Sequence, residues 1–202
     1  LPVEEDHRKA VAGVPAVPQK AMETYRIHEE ASLYYFTFSV VSWLPVFVAE
    51  VPCKIVTDSL NYCHREKGLR INAFVIMPTH IHLIAFDAEF NPSRLRDSIN
   101  AVRSYTGHQL CSYVEQHCPP VFTQVLRNTR RSDRRQQFWQ QGRHAEAIYS
   151  WHFWEQKFDY VHDNPRRKRL VWDATDWRFS SAAYWLLDPP GESEVLLSAV
   201  AW

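Results

Sequence analysis

The chain has 202 residues, is 46% hydrophobic and 14% aromatic, and contains only 5 Gly. That length and composition suit one globular domain with some decoration and exclude a disordered chain. Its 23 basic and 23 acidic side chains cancel, so total charge announces no polyanionic partner, and only the charge distribution can do so.

Residues 1–24 are Pro- and Ala-rich without periodicity and read as a leader. Ala31 to Val41 is the first predicted strand, because Tyr34, Phe36, Phe38 and Val40 alternate with Tyr35, Thr37 and Ser39. Pro52 to Lys67 reads as a helix with Pro near its start and Gly68 as its stop. Leu69 to Met77 is a second strand, broken by Pro78-Thr79, because proline cannot donate to a ladder. His80 to Phe86 follows as a third strand, antiparallel to the second. Asn91 then caps a helix with Pro92 in its first turn; Leu95, Ile99, Val102 and Thr106 mark its buried stripe.

Residues 112–137 carry no clear period. Cys118-Pro119-Pro120 is a break, and the Arg-rich stretch beyond reads equally as helix or loop. Gly142 to Tyr149 is a fourth predicted strand. Ser150 is a candidate N-cap for a helix to about His162, with Pro165 as its end. Trp151, Trp154, Phe158 and Val161 form one face of that helix; Lys157, Tyr160 and Asn164 form another. The order of elements predicts a small α+β sandwich followed by a further helix. The four cysteines have neither CxxC spacing nor a disulfide framework, so free thiols in a reducing, cytoplasmic setting are expected. No apolar run approaches the ~20 residues of a membrane span, and neither a membrane partner nor a signal peptide is expected.

Two short motifs carry the chemistry. On a strand, residues two apart share a face, so His80 and His82 can share a metal ion. On a helix, residues four apart share a face, so Tyr160 and Asn164 can meet that ion together. Each feature alone has a plainer reading. A His-x-His pair more often packs or caps, a lone helical Tyr is usually core or surface, and Asn before Pro commonly ends a helix. Together they form a set. A tyrosine, with a free pKa of about 10, is a weak nucleophile near neutrality. It needs a polarised electrophile, which an ion on His80, His82 and Asn164 supplies, or a nearby positive charge. Lys157, one turn before Tyr160, can provide that charge, although it reads somewhat more readily as an ordinary exposed lysine.

Charge is also uneven. Residues 121–170 hold 11 Lys+Arg against 5 Asp+Glu, a local +6. Arg127, Arg130, Arg131, Arg134 and Arg135 form one cluster; Arg166, Arg167, Lys168 and Arg169 form a second. Such fields attract phosphate, so both are candidate DNA-binding residues, although the first reads equally as a solvated loop.

The stretch Met77-Pro78-Thr79-His80-Ile81-His82-Leu83-Ile84 resembles the histidine–hydrophobic–histidine (HUH) signature of single-tyrosine transposases. Phe158-Asp159-Tyr160-Val161-His162-Asp163-Asn164-Pro165 resembles their nucleophile helix, in the form found in REP-associated tyrosine transposases. Phe138-Trp139-Gln140 and Trp177-Arg178-Phe179-Ser180-Ser181 resemble two further blocks, in the family's order. The likeness covers residues 25–186 and leaves 1–24 as leader and 187–202 as a C-terminal tail. It implies a ferredoxin-like α+β sandwich whose antiparallel sheet has the HxH strand central and helices on one face. It further implies a Mg²⁺ or Mn²⁺ site from His80, His82 and Asn164, and attack by Tyr160 on single-stranded DNA to leave a 5′-phosphotyrosine. The implied partner is DNA with hairpin (REP-like) elements, bound by a monomer or homodimer. The sequence departs from the family after Pro165, where an apolar residue and a nearby Gly give way to Arg166-Arg167-Lys168-Arg169-Leu170.

The first expectation is therefore a metal-dependent single-stranded DNA endonuclease and strand transferase. The alternative is a hairpin-binding protein whose chemistry is lost or unused. A third reading, a metallohydrolase activating water, needs a carboxylate or third histidine, and the nearest acids are Asp87 and Glu89 beyond the histidine strand.

Overall fold

A computed structural model of the chain describes residues 24–26, 33–129, 136–141 and 144–202. Its elements in chain order are β1 (Thr24–Arg26), β2 (Leu33–Ser39), α1 (Glu50–Lys67), β3 (Leu69–Met77), β4 (His80–Asp87), α2 (Pro92–His117), α3 (Pro120–Asn128), β5 (His144–Ile148), α4 (Trp151–Arg167), α5 (Ala182–Leu186) and β6 (Ala199–Ala201).

Local chemistry sets most boundaries. Gly68 ends α1 in the left-handed conformation at φ 70°, where a side chain would be strained. The Asn91 side chain accepts from the backbone N–H groups of Ser93 and Arg94 and so starts α2. Ser150 Oγ accepts from Phe153 N to start α4.

The main sheet is antiparallel in the order β3-β4-β2-β5, so the HxH strand is central as expected. Alternate residues of each strand serve opposite faces. One face buries Phe36, Phe38, Ile71, Phe74, Ile76, Ile81 and Leu83 under α1 and α2, which supply Val56, Leu60, Leu95, Ile99 and Val102. These two helices cover one face of the sheet, the helical layer expected of the sandwich. The further helix, α4, lies across the other face, with Val161 against Tyr35, Ala73, Val75, Ile84 and Phe86.

Two expectations are corrected. Pro165 does not end its helix, which continues to Arg167. A proline so near a C-terminus removes only one backbone bond, and the helix closes around it with Lys168 N donating to Asn164 O at 3.0 Å. Of the uncertain stretch 112–137, the described residues up to Thr129 form the end of α2, a break at Cys118 and the short helix α3.

The tail is part of the packed body. Glu194 takes Lys54 at 3.0 Å and Arg178 at 2.7 Å, Val195 is buried, and β6 pairs in parallel with β1. The outer edge of β3 is covered: Ser180 bridges Val75 and Leu197 bridges Ile71. Where β3 shifts register between Ile71 and Ala73, Asn72 is satisfied by Ser198 O, Trp154 Nε1 and Trp185 Nε1. All four cysteines are free, as expected. Among the described residues, no helix is long and apolar enough to cross a membrane.

Candidate functional site

The site lies where β4 begins, on the α4 side of the sheet. The register sets Thr37 and Val75 beside His82, and Ser39 and Met77 beside His80. The two imidazole centroids stand 4.7 Å apart, one ring edge-on to the other. They are close enough to face one small ion.

Each histidine has its Nδ1 side occupied. His82 Nδ1 lies 2.7 Å from Tyr35 Oη and 2.9 Å from Thr37 Oγ1. His80 Nδ1 lies 2.9 Å from Thr79 Oγ1. In the tautomer where Nδ1–H donates to these oxygens, both Nε2 lone pairs are free, as metal-ligating histidines require. His82 Nε2 is buried and has no hydrogen-bond partner. An orphaned buried nitrogen costs about 1–3 kcal/mol, a cost that a bound ligand would offset.

Both rings are neutral near pH 7. Burial, then His80 and Lys157, push His82 down to about 3. Burial, then the Lys168 ammonium, push His80 down to about 4. Burial raises the Tyr35 phenol, so it stays a hydroxyl able to hydrogen-bond His82.

Tyr160 stands over this pair from α4. Its ring centroid is 5.3 Å from His82 and 6.2 Å from Tyr35, and the residue is 36% exposed. Asn164 is buried one turn further along α4, and no other described residue hydrogen-bonds its side chain. The histidine pair offers two neutral imidazoles; the described residues hold no cluster of three or more His, Cys, Asp or Glu that fits a metal.

The basic residues divide. Arg167 lies over the Tyr160 ring, 5.3 Å from its centroid. Lys168 is close enough to His80 to lower its pKa. Arg166 is bound to Asp163, and Arg169 sits at φ 58°. Lys157 pairs with Glu146 at 2.7 Å and lies over the Tyr35 ring at 4.5 Å. Arg127 pairs with Glu115 at 2.6 Å. Arg130, Arg131, Arg134 and Arg135 lie outside the described residues. Beyond Tyr160, a groove of about 570 Å³ runs along α4 between Gln156, Asp159, Arg166, Arg167 and Leu186.

The acids named for the hydrolase reading are out of reach. Asp87 ends β4, roughly 20 Å of strand from His80. It is occupied by the N–H groups of Glu89 and Asn91 and by Arg94.

Sequence reasoning missed Tyr35, Thr37 and Trp43. The first two are polar members of the strand's alternate face. Trp43 is 55% exposed, with its ring 5.8 Å from His80. The aromatic blocks near 138 and 177 are packing devices. Phe138 and Trp139 pack on Phe47, Trp177 Nε1 donates to Ile76 O, and Ser181 Oγ meets both Phe74 and His162.

No protein-family model and no curated protein matches this chain. Among solved structures, a REP-associated tyrosine transposase bound to a REP hairpin is similar, with a TM-score of 0.54 and 18% identity over 79% of this chain and 82% of that one. A putative transposase from Deinococcus radiodurans R1 has a TM-score of 0.42 and 17% identity, over 65% of this chain and 88% of that one. The first likeness shows a shared fold, the one the motifs implied.

Proposed function

We propose that this chain is a metal-dependent endonuclease and strand transferase for single-stranded DNA, with Tyr160 as nucleophile. The observation that carries the reading is the buried, unpartnered His82 Nε2, its ring fixed from behind by Tyr35 and Thr37, beside the Tyr160 ring. The site residues fit a divalent ion. His80 and His82 would hold it through Nε2, with the Asn164 amide oxygen as third donor. Imidazole favours Mn²⁺ over Mg²⁺ at such a site. When bound, the ion would polarise a phosphate oxygen and make the phosphorus a better electrophile.

The protein's own groups do the rest. Burial keeps both histidines unprotonated and therefore able to ligate. Arg167, stacked on the Tyr160 ring, restrains its orientation. The phenol oxygen attacks phosphorus while the bond to O3′ breaks. The phenol proton passes to solvent at the exposed rim, and the departing O3′ takes up a proton to become a free 3′-hydroxyl. The 5′ side stays on Tyr160 as a phosphotyrosine, and a 3′-hydroxyl on another strand can reverse the step. Lys168, beside His80, attracts the backbone phosphate. The solved REP-associated relative holds a REP hairpin; hairpin-bearing DNA is the substrate class we assign here.

The test is incubation with single-stranded DNA carrying a hairpin, with Mn²⁺ or Mg²⁺, followed by a denaturing gel. A covalent protein–DNA band is expected in the wild type and not in Tyr160→Phe. A band that persists in the variant removes Tyr160 as nucleophile. Tight binding without cleavage under any metal favours a hairpin-binding protein with unused chemistry.

A further inference from the structure

Five side chains follow one another as close neighbours through the site. Trp43 is 5.8 Å from His80, His80 is 4.7 Å from His82, His82 is 5.3 Å from Tyr160, and Arg167 is 5.3 Å over Tyr160. The last four have roles in the proposed reaction. Trp43 has none, yet it is the first of these neighbours.

Its setting is costly in two ways. Ser42 and Trp43 both adopt left-handed backbone conformations, at φ 52° and 54°. For residues other than glycine such positions carry strain, which persists only where the surroundings enforce it. The surroundings do so. Val40 N donates to Thr79 O, Val41 N to Phe138 O, Trp43 N to Val40 O, and Phe47 N to Pro78 O, each at 2.9–3.0 Å. The segment is thus pinned to the turn that immediately precedes His80. The second cost is an indole left more than half in water beside a half-buried histidine. Nothing in the packing of the core asks for it, since its neighbours Val41, Val46 and Phe47 turn inward.

We infer that Trp43 is a stacking platform for a nucleobase next to the scissile phosphate. This rests on the reading of the histidine pair as the cleavage site. A strand whose phosphate lies over His80 and His82 can set its neighbouring base at the flank of His80, beside an indole that is 55% exposed. An aromatic ring suits this task because every base presents a π-face, so the contact needs no particular sequence. The arrangement fixes where the cut falls: the base held by Trp43 sets the register of the strand against Tyr160.

The experiment is a cycle of two changes on the full-length chain. One is Trp43→Ala, with Trp43→Phe as the conservative variant. The other is a single abasic nucleotide, walked through the positions flanking the cut. The readouts are single-strand affinity and the distribution of cleavage positions. Trp43→Ala should weaken binding by about tenfold, within the range for one base–aromatic stack, and spread the cuts over neighbouring phosphates. Trp43→Phe should retain most of both. One abasic position beside the cut should reproduce the loss in the wild type and add nothing in Trp43→Ala. Losses that add at every position, or unchanged affinity and cut position in Trp43→Ala, overturn the platform and leave the cleavage reading standing. A wild type that binds no single strand overturns both.

Discussion

The two faces of β4 are built from one run of residues and behave oppositely. On the α1 and α2 side, Ile81, Leu83 and Ala85 are buried among apolar neighbours. On the α4 side, the same strand offers His80 and His82, followed by Ile84 and Phe86. This second face also buries His162 and Asn164 from α4. Two of its ring nitrogens, His82 Nε2 and His162 Nδ1, have no hydrogen-bond partner. Apolar burial favours folding in proportion to area, whereas unpaired polar burial opposes it. One face therefore holds the protein together, and the other spends part of that stability on a site.

The comparison is broken most sharply by activity. Tyr160→Phe and His82→Ala should each reduce covalent adduct formation by on the order of 10⁴-fold or more, as removal of a nucleophile or its activator does elsewhere. Both proteins should remain folded by circular dichroism. Adduct formation by His82→Ala at the wild-type rate, with metal still required, would move the ion elsewhere.

Stability should answer in the other sense. Leu83→Ala on the packed face should cost about 2–5 kcal/mol in urea unfolding, the range for deleting a large buried side chain. His82→Ala should cost less than about 1.5 kcal/mol, because lost ring contacts are offset by removing an unpaired buried nitrogen. Equal losses from the two neighbouring positions would show that both faces are ordinary core.

Acid should act through the α4 face. In the folded chain burial holds His162 down to about 4, burial with the Lys168 charge holds His80 down to about 4, and burial with neighbouring charge holds His82 down to about 3, against an ordinary 6.5. Between those values the unfolded chain binds protons that the folded chain refuses. Stability is therefore full above about pH 6.5 and falls as pH drops toward the folded values. Each of the three groups should remove about 2 kcal/mol between pH 7 and pH 5, at 1.36 kcal/mol per unit. His162→Phe should abolish roughly a third of that difference between urea midpoints at the two pH values. An undiminished acid response would place the titration elsewhere.

A smaller effect separates members of the basic run. Lys168→Ala should lower the slope of log affinity against log salt by about 0.7, one single-strand phosphate contact. Arg166→Ala should change it less, because Arg166 is already bound to Asp163. Equal changes would mean that the run acts as undivided charge.

Local signals made much of this legible in the sequence. Gly68, Asn91-Pro92 and Ser150 act on the backbone within a few residues, and the helices they delimit are found. The alternation in β2 and the Pro78-Thr79 break mark β2, β3 and β4. The partners of His82 were not legible, because Tyr35 and Thr37 lie 47 and 45 residues away and meet it only through the register of β2 on β4. The partner of Lys157 was hidden for a related reason: Glu146, on a strand, pairs with it at 2.7 Å. The tail has no period at all; it is held by Glu194, Val195 and Ser198, each against a different element.

Asn164 tests whether the second face is a site or merely a polar core. Asn164→Ala should slow cleavage by about tenfold, the equivalent of 1.4 kcal/mol, and higher Mn²⁺ should restore part of the rate. Water can fill the position of one neutral ligand among three, so metal affinity should weaken without vanishing. Imidazole-bound Mn²⁺ should suffer less than Mg²⁺. The competing account made Asn164 the last residue of a helix broken by Pro165. That account fails on the fold, since α4 continues through Pro165 to Arg167 and places Asn164 inside it. The remaining rival is a packing role, because Asn164 is buried and its neighbours Val161 and Pro165 are buried with it. Under packing alone, Asn164→Ala lowers the melting temperature and leaves the Mn²⁺ dependence where it was. Under ligation, the Mn²⁺ titration shifts to higher concentration while melting in chelator stays close to wild type, because alanine suits a helix interior and no hydrogen bond to another described residue is lost. Titration in both proteins, with melting in chelator alongside, decides between them; an unshifted metal curve removes Asn164 from the site and leaves the two histidines as its protein ligands.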